Sequence, residues 1–162
     1  MHSTVNRAGD LNGTRLLLVC AGMLLAGTVI AHGGATGIVK ERMDMMKHVG
    51  DNMKQVSDMI KGKTAFDSTL IARNAGTVMA AATKIPDMFP THSLHEPSEA
   101  LPTIWQEWDK FSALSVKLGE EAKQLQETAR SGDRQAITQQ FARLGKVCSG
   151  CHTDYRKKKK HK

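Results

Sequence analysis

From residue 36 to the carboxyl end the apolar residues recur with a helical period. No stretch alternates with period two over a length that would make a strand. That pattern confines the chain to an all-α fold. In a first segment Val39, Met46, Met53 and Ile60 return every seven residues, with Met43, Val49 and Val56 between them. Lys40, Glu41, Asp44, Lys47, Asp51 and Lys54 fall elsewhere on that helix surface, and Gly62 supplies a stop. A second, alanine-rich segment starts from an N-cap at Asp67 and runs through Ile71, Ala75, Val78, Met79 and Ala82 toward Pro86. After a proline-rich loop holding His92 and His95, a third helix is expected to open at Thr103, with Gln106 completing a capping box. Its stripe is Ile104, Trp108, Phe111, Leu118, Ala122, Leu125 and Ala129, with Trp108 read as a core filler. Ser131-Gly132-Asp133 makes a turn and a new N-cap. The fourth helix then carries Ile137, Phe141, Leu144, Val147, Cys148, Cys151 and Tyr155 on one face. Four amphipathic helices, most of them joined by short connections, predict an antiparallel up-down-up-down four-helix bundle over residues 32–156. A chain of 162 residues suits one such domain and excludes a large multidomain enzyme.

The first 31 residues read as an address rather than as part of that fold. Arg7 and Arg15 precede an uncharged apolar run over residues 16–31, which ends with Val29 and Ala31 at cleavage-site spacing. A positive region, an apolar stretch and small terminal residues describe a secretory signal peptide. The run of 16 residues falls short of the ~20 that span a bilayer, which leaves an uncleaved membrane anchor as the alternative. Cys20 leaves with this segment. An exported protein, expected in the periplasm, then keeps two cysteines, Cys148 and Cys151, both at one place. Paired at a single site, they serve chemistry rather than the stapling of loops.

Cys148-Ser149-Gly150-Cys151-His152 is the C-x-x-C-H signature of covalent haem attachment. Two thiols three residues apart on a helix reach the two vinyl groups on one porphyrin edge. The following histidine projects an imidazole toward the iron as its proximal ligand. Rival readings are weaker. A structural zinc site needs a second ligand pair, a thioredoxin-like C-x-x-C needs a βαβ setting, and a disulfide within one helix has poor geometry.

These residues resemble the class II c-type cytochromes, the cytochrome c′ family with its low-spin c-556 type. The likeness rests on Cys148-Ser-Gly-Cys151-His152-Thr-Asp-Tyr155-Arg156, on Pro102-Thr-Ile104-Trp105, and on Phe111. It extends to the Phe89-Pro90 pair, the Ser131-Gly132-Asp133 turn, and Arg42 through Met46 to Lys47. Composition alone does not choose an iron ligand among Met43, Met45, Met46, Met53 and Met59. The resemblance does, implying that Arg42 lies close to a haem propionate and that Met46, one turn later, is the distal axial ligand. His48, 200° around the helix from Met46, is expected at the surface.

A six-coordinate His/Met haem c implies a carrier of single electrons and not an enzyme. The alternative is a five-coordinate, gas-binding cytochrome c′ type. Expected partners are redox proteins, with a homodimer and, were the leader kept, membrane association as further expectations. The formal charge of +7 does not point to nucleic acid, because residues 32–155 hold fifteen acidic and fifteen basic residues. The excess sits at the carboxyl end, in Arg156, Lys157, Lys158, Lys159, Lys160 and Lys162. Lysines there suit the negative pole of a helix as a frayed, solvated end, or steer an acidic redox partner or a membrane surface toward the cofactor.

Overall fold

The computed structural model describes residues 34–158. The leader reading for residues 1–31, and the part of the basic tail beyond Lys158, lie outside the described residues. Four long helices are present: α1 (Gly37–Ile60), α2 (Ser68–Ala82), α4 (Trp108–Arg130) and α5 (Arg134–Tyr155). A 3-10 turn at Pro86–Met88 and a single turn, α3 (Thr103–Gln106), lie in the long connection between α2 and α4.

The stop and start signals act as their chemistry requires. At Gly62 the backbone turns left-handed (φ 72°), and its N–H returns to the Met59 carbonyl. Asp67 accepts from the Leu70 N–H at 2.9 Å. Gly132 takes φ 72°, and Asp133 then caps α5 by accepting from Gln135 and Ala136 N–H at 2.8 and 3.1 Å. The third helix departs from expectation. Its cap residue is Pro102, the Thr103 hydroxyl is buried without a hydrogen-bond partner, and no capping box forms. Glu107 leaves helical backbone (φ −119°, ψ 40°), so the helix restarts at Trp108. That break resets the phase. Trp108 turns outward, 37% exposed and resting on Phe111, instead of filling the core, whereas Phe111 is buried.

Packing is sequential. α1 lies against α2, α2 against α4, and α4 against α5. The α2–α4 contact is tightest because small residues meet there. A Cβ on Gly119 would stand 3.6 Å from the Ala82 Cβ, and one on Gly76 would stand 2.6 Å from the Gln126 amide. The core is built from Val49, Val56, Ile71, Val78, Ile104, Phe111, Leu125, Ile137 and Leu144, with their smaller neighbours. Truncating fully buried Leu144 to alanine is expected to cost about 3 kcal/mol, measured by urea denaturation, because the rigid helices around it cannot collapse into the gap.

Polar residues enter this core at two places that the apolar pattern does not mark. Gln140, 1% exposed, donates to the Glu121 carbonyl and carboxylate at 3.0 and 2.7 Å and accepts from Arg143 Nε at 2.7 Å, which locks α5 to α4. On α1, Arg42 and Asn52 are buried, while Met46, Met53 and Ile60 are only half-buried. The buried stripe of α1 is therefore rotated away from those heptad methionines, which lie along its flank. The outer face carries Lys40–Asp44, Lys47–Asp51 and Lys54–Asp58 ion pairs at seven-residue intervals, which solvent screens so that each adds little.

Candidate haem site

Closing a four-helix bundle would bring α1 against α5, but these two are not among the closely packed helix pairs. The interval this leaves between the two helices is the groove that their residues border. On α5 the residues at spacings of three and four are Phe141, Gly145, Cys148 and His152, one face of the helix. Phe141 and Cys148 are half-buried against the core cluster, as are Val147 and Cys151 nearby. On α1, Met45, Met46 and Met53 are half-buried against the same cluster. Met59 is in the core at 2% exposure, which removes it from the candidate ligands, and His48 is exposed as expected.

Both cysteines are free thiols. Burial pushes Cys148 upward, and burial, then Cys148 and Asp154, push Cys151 up to about 11. Each is therefore held protonated at neutral pH, unlike a redox-active or metal-binding thiolate. His152 is exposed, yet partial desolvation by its neighbours and then the charge of Arg156 lower its pKa, which favours the neutral imidazole with its lone pair available.

These residues fit a covalently attached haem. Two half-buried thiols one turn apart are followed directly by a neutral imidazole. Gly145, one turn before Cys148, offers a backbone where an added Cβ would meet nothing within 4 Å. The facing helix brings soft thioethers and apolar surface. Among the described residues no group of three or more His, Cys, Asp or Glu is arranged to hold a bare metal ion.

Arg42 occupies a place its sequence does not disclose. Nη1 donates to the Met88 carbonyl at 3.1 Å and to the Ser93 hydroxyl at 3.4 Å. Nη2 donates to the Ser93 carbonyl and the Ser98 hydroxyl at 3.1 and 3.0 Å, and the guanidinium lies 4.3 Å over the Phe89 ring. Both terminal nitrogens thus hold the loop after α2. Sequence reading missed Ser93 and Ser98, and only their spacing within a polar loop could have flagged them.

The carboxyl end of α5 is tied to the same loop. Leu101 N–H donates to the Tyr155 carbonyl, Lys157 N–H to the Glu99 carbonyl, and Arg156 pairs with Glu99. Lys157 also reaches Glu96 and the Ser98 carbonyl. The first two cations of the basic tail are therefore docked rather than frayed.

Tyr155 anchors this end. It packs edge-on against Phe111, itself edge-on to Phe89, and its hydroxyl donates to Glu107 at 2.9 Å. Burial, followed by the Glu107 carboxylate, raises its pKa to about 12. A phenol raised in the folded state stabilises the fold fully below about pH 10, its unfolded value, and that contribution is lost as pH climbs toward 12. Tyr155 is the sole tyrosine, so the tyrosinate band of the native protein should titrate near 12 and fall back toward 10 in urea.

Comparison with known proteins agrees with this arrangement. The family described as Cytochrome C′ matches residues 37–156. Cytochrome c-556 of Agrobacterium fabrum is 34% identical over 138 residues, covering 85% of this chain and 90% of that one. Cytochrome c′ of Rhodopseudomonas palustris is 29% identical over 83% of this chain and 94% of that one. Among solved structures, cytochrome c prime from Shewanella frigidimarina superposes with a TM-score of 0.70 at 30% identity, covering 75% of this chain and 94% of that one. Cytochrome c′ from Rhodopseudomonas palustris gives 0.72 at 28%, covering 78% and 100%. With that match over most of its length, a four-helix bundle and a C-x-x-C-H helix facing a groove, the chain belongs to the cytochrome c′ family, the class II c-type cytochromes that carry covalently attached haem c.

Proposed function

We propose that this protein is an exported electron carrier, with Cys148 and Cys151 as the thioether anchors of its haem. His152 is the proximal ligand and Met46 the distal ligand of a six-coordinate iron. The observation that carries this reading is the position of Met46, half-buried on the flank of α1 against the same core cluster that receives Cys148 and Cys151. The likeness to proteins named cytochrome c-556 supports it as well.

Haem supplies the one-electron Fe(III)/Fe(II) couple. The chain's own residues set the conditions for it. Met46 would supply a soft thioether donor, which favours the reduced state, and His152 an imidazole donor. Half-buried Met53, Phe141 and Val147 put apolar surface beside the site, which would lower the local dielectric around a bound haem and favour its less charged state. Each proposed ligand sits on a helix held by a neighbour, α1 by α2 and α5 by α4, which limits its movement between oxidation states. Arg42 is assigned to a propionate as a fixed positive charge rather than as a freely turning fork, since its terminal nitrogens hold the loop.

The reading includes a periplasmic location, supported by the leader pattern, and redox proteins as partners, with the chain itself able to pair as a homodimer. Among the described residues no helix is long and apolar enough to cross a membrane. If residues 16–31 are retained, they supply the membrane association. The second reading is a five-coordinate, gas-binding protein, favoured by the solved cytochromes c′ at 27–30% identity. One experiment separates them: visible spectra of the purified holoprotein in both oxidation states, with and without carbon monoxide. A low-spin ferrous spectrum and slow carbon monoxide binding are expected. A high-spin spectrum with rapid binding would falsify the Met46 assignment.

A further inference from the structure

The groove between α1 and α5 is tied at both ends by contacts that its lining residues do not make. At one end Arg134 of α5 donates to the Met59 carbonyl at the end of α1, at 3.1 Å, and lies 4.7 Å over Phe66. At the other end the two helices are joined through the loop of residues 89–101. Arg42 grips that loop one helical turn before Met46. Tyr155, Arg156 and Lys157 grip it one turn after His152. Ser98 is where the two grips meet. Its hydroxyl accepts from Arg42 Nη2 at 3.0 Å and from the Ala100 N–H at 3.3 Å, its carbonyl accepts from Lys157 Nζ at 3.2 Å, and the residue is 5% exposed. Two residues on, Ala100 forms an antiparallel bridge with Arg156.

We infer that residues 89–101 form a strap across the ligand-bearing end of the groove, and that Ser98 and Glu99 are positioning residues for the Met46–iron bond. The inference rests on the assignment of Met46 made above. The physical reason is leverage. α1 and α5 lack close mutual packing, so the separation of Met46 from His152 at that end depends on the loop that both helices hold. The far end is fixed independently by Arg134. Slack in the strap lets the first turns of α1 move outward while its packing against α2 persists. A thioether is a weak enough ligand for a small displacement to release it, leaving a five-coordinate iron open to carbon monoxide.

The two anchors differ in burial, and that makes the strap testable without unfolding the protein. Glu99 and Arg156 are each about two-fifths exposed, with side-chain exposures of 42% and 41%, so Glu99→Gln should fold normally. Ser98→Ala removes the buried acceptor of Arg42. In both holoproteins carbon monoxide should bind the ferrous form about tenfold faster than in wild type, with a high-spin shoulder in the ferric spectrum, as the methionine-off population rises from a minor fraction. High salt, which screens the half-exposed Glu99–Arg156 pair, should speed binding in wild type and change little in Glu99→Gln. A structural role alone would lower the melting temperature and leave spin state and carbon monoxide kinetics untouched. Wild type binding slowly, with both variants within twofold of it, overturns the strap and leaves the Met46 assignment standing. Wild type that is itself high-spin and fast overturns both.

Discussion

Met46→Ala should turn the protein from low-spin to high-spin in both oxidation states and open it to carbon monoxide. If the wild-type thioether leaves the iron only about 1% of the time, removing it raises apparent carbon monoxide affinity about 100-fold, because the competent fraction goes from a hundredth to nearly all. The reduction potential should fall as well, since the donor that favours Fe(II) is lost. The neighbouring methionines serve as controls. Met43→Ala and Met53→Ala should remain low-spin. Met59→Ala should stay low-spin too but unfold at lower urea, by about 2–5 kcal/mol, because Met59 is in the core. If Met53→Ala, and not Met46→Ala, opened the iron, the distal ligand would lie two turns further along α1.

The helical period of this chain carries the bundle almost unaided, because an apolar stripe on each of four segments has few other ways to be buried. Gly62, Asp67, Gly132 and Asp133 end and begin helices where their backbone and side-chain chemistry says they should. The site was legible for a different reason: Cys148, Cys151 and His152 are contiguous, so their geometry follows from one helix. What the sequence hides is anything that depends on the phase of a helix or on a distant loop. Glu107 breaks the third helix and turns Trp108 to the surface, a local backbone event that no apolar pattern records. The heptad of Val39, Met46, Met53 and Ile60 reads as the centre of the α1 stripe, yet only Val39 of the four is buried, and Val49, Val56 and Met59 complete the buried face. The displacement matters, because it moves Met46 from the middle of the core to the flank that borders the groove.

Charge shows the same limit. The resemblance to the cytochrome c′ family implies a propionate as the partner of Arg42. Its partners in the fold lie 46 to 56 residues away in a loop with no periodic signal. The lysine-rich end reads as a solvated tail, but Arg156 and Lys157 find Glu99 and Glu96 across the chain.

Arg42 therefore sets the last expectation, and a large one. In Arg42→Leu the Met88 and Ser93 carbonyls and the Ser93 hydroxyl lose the Arg42 donor, and the Ser98 hydroxyl keeps only the Ala100 N–H. Ser93 and Ser98 are 6% and 5% exposed, and each acceptor left dry costs about 1–3 kcal/mol. Part of that is offset, because burial already works against the guanidinium charge and lowers its pKa, and leucine removes that penalty. The loop can also limit the loss by lifting into water, which caps the penalty at the cost of undocking it. A net loss of about 3 kcal/mol in urea denaturation is expected, together with rapid proteolysis between residues 89 and 101. Arg42→Lys separates clamp from charge. An ammonium keeps the positive charge but presents its donors from one point and cannot bridge Met88, Ser93 and Ser98 at once. If the clamp dominates, lysine behaves nearly as badly as leucine in stability and in loop cleavage. If the fixed charge dominates, lysine restores the wild-type reduction potential and stability together, and the loop stays shut.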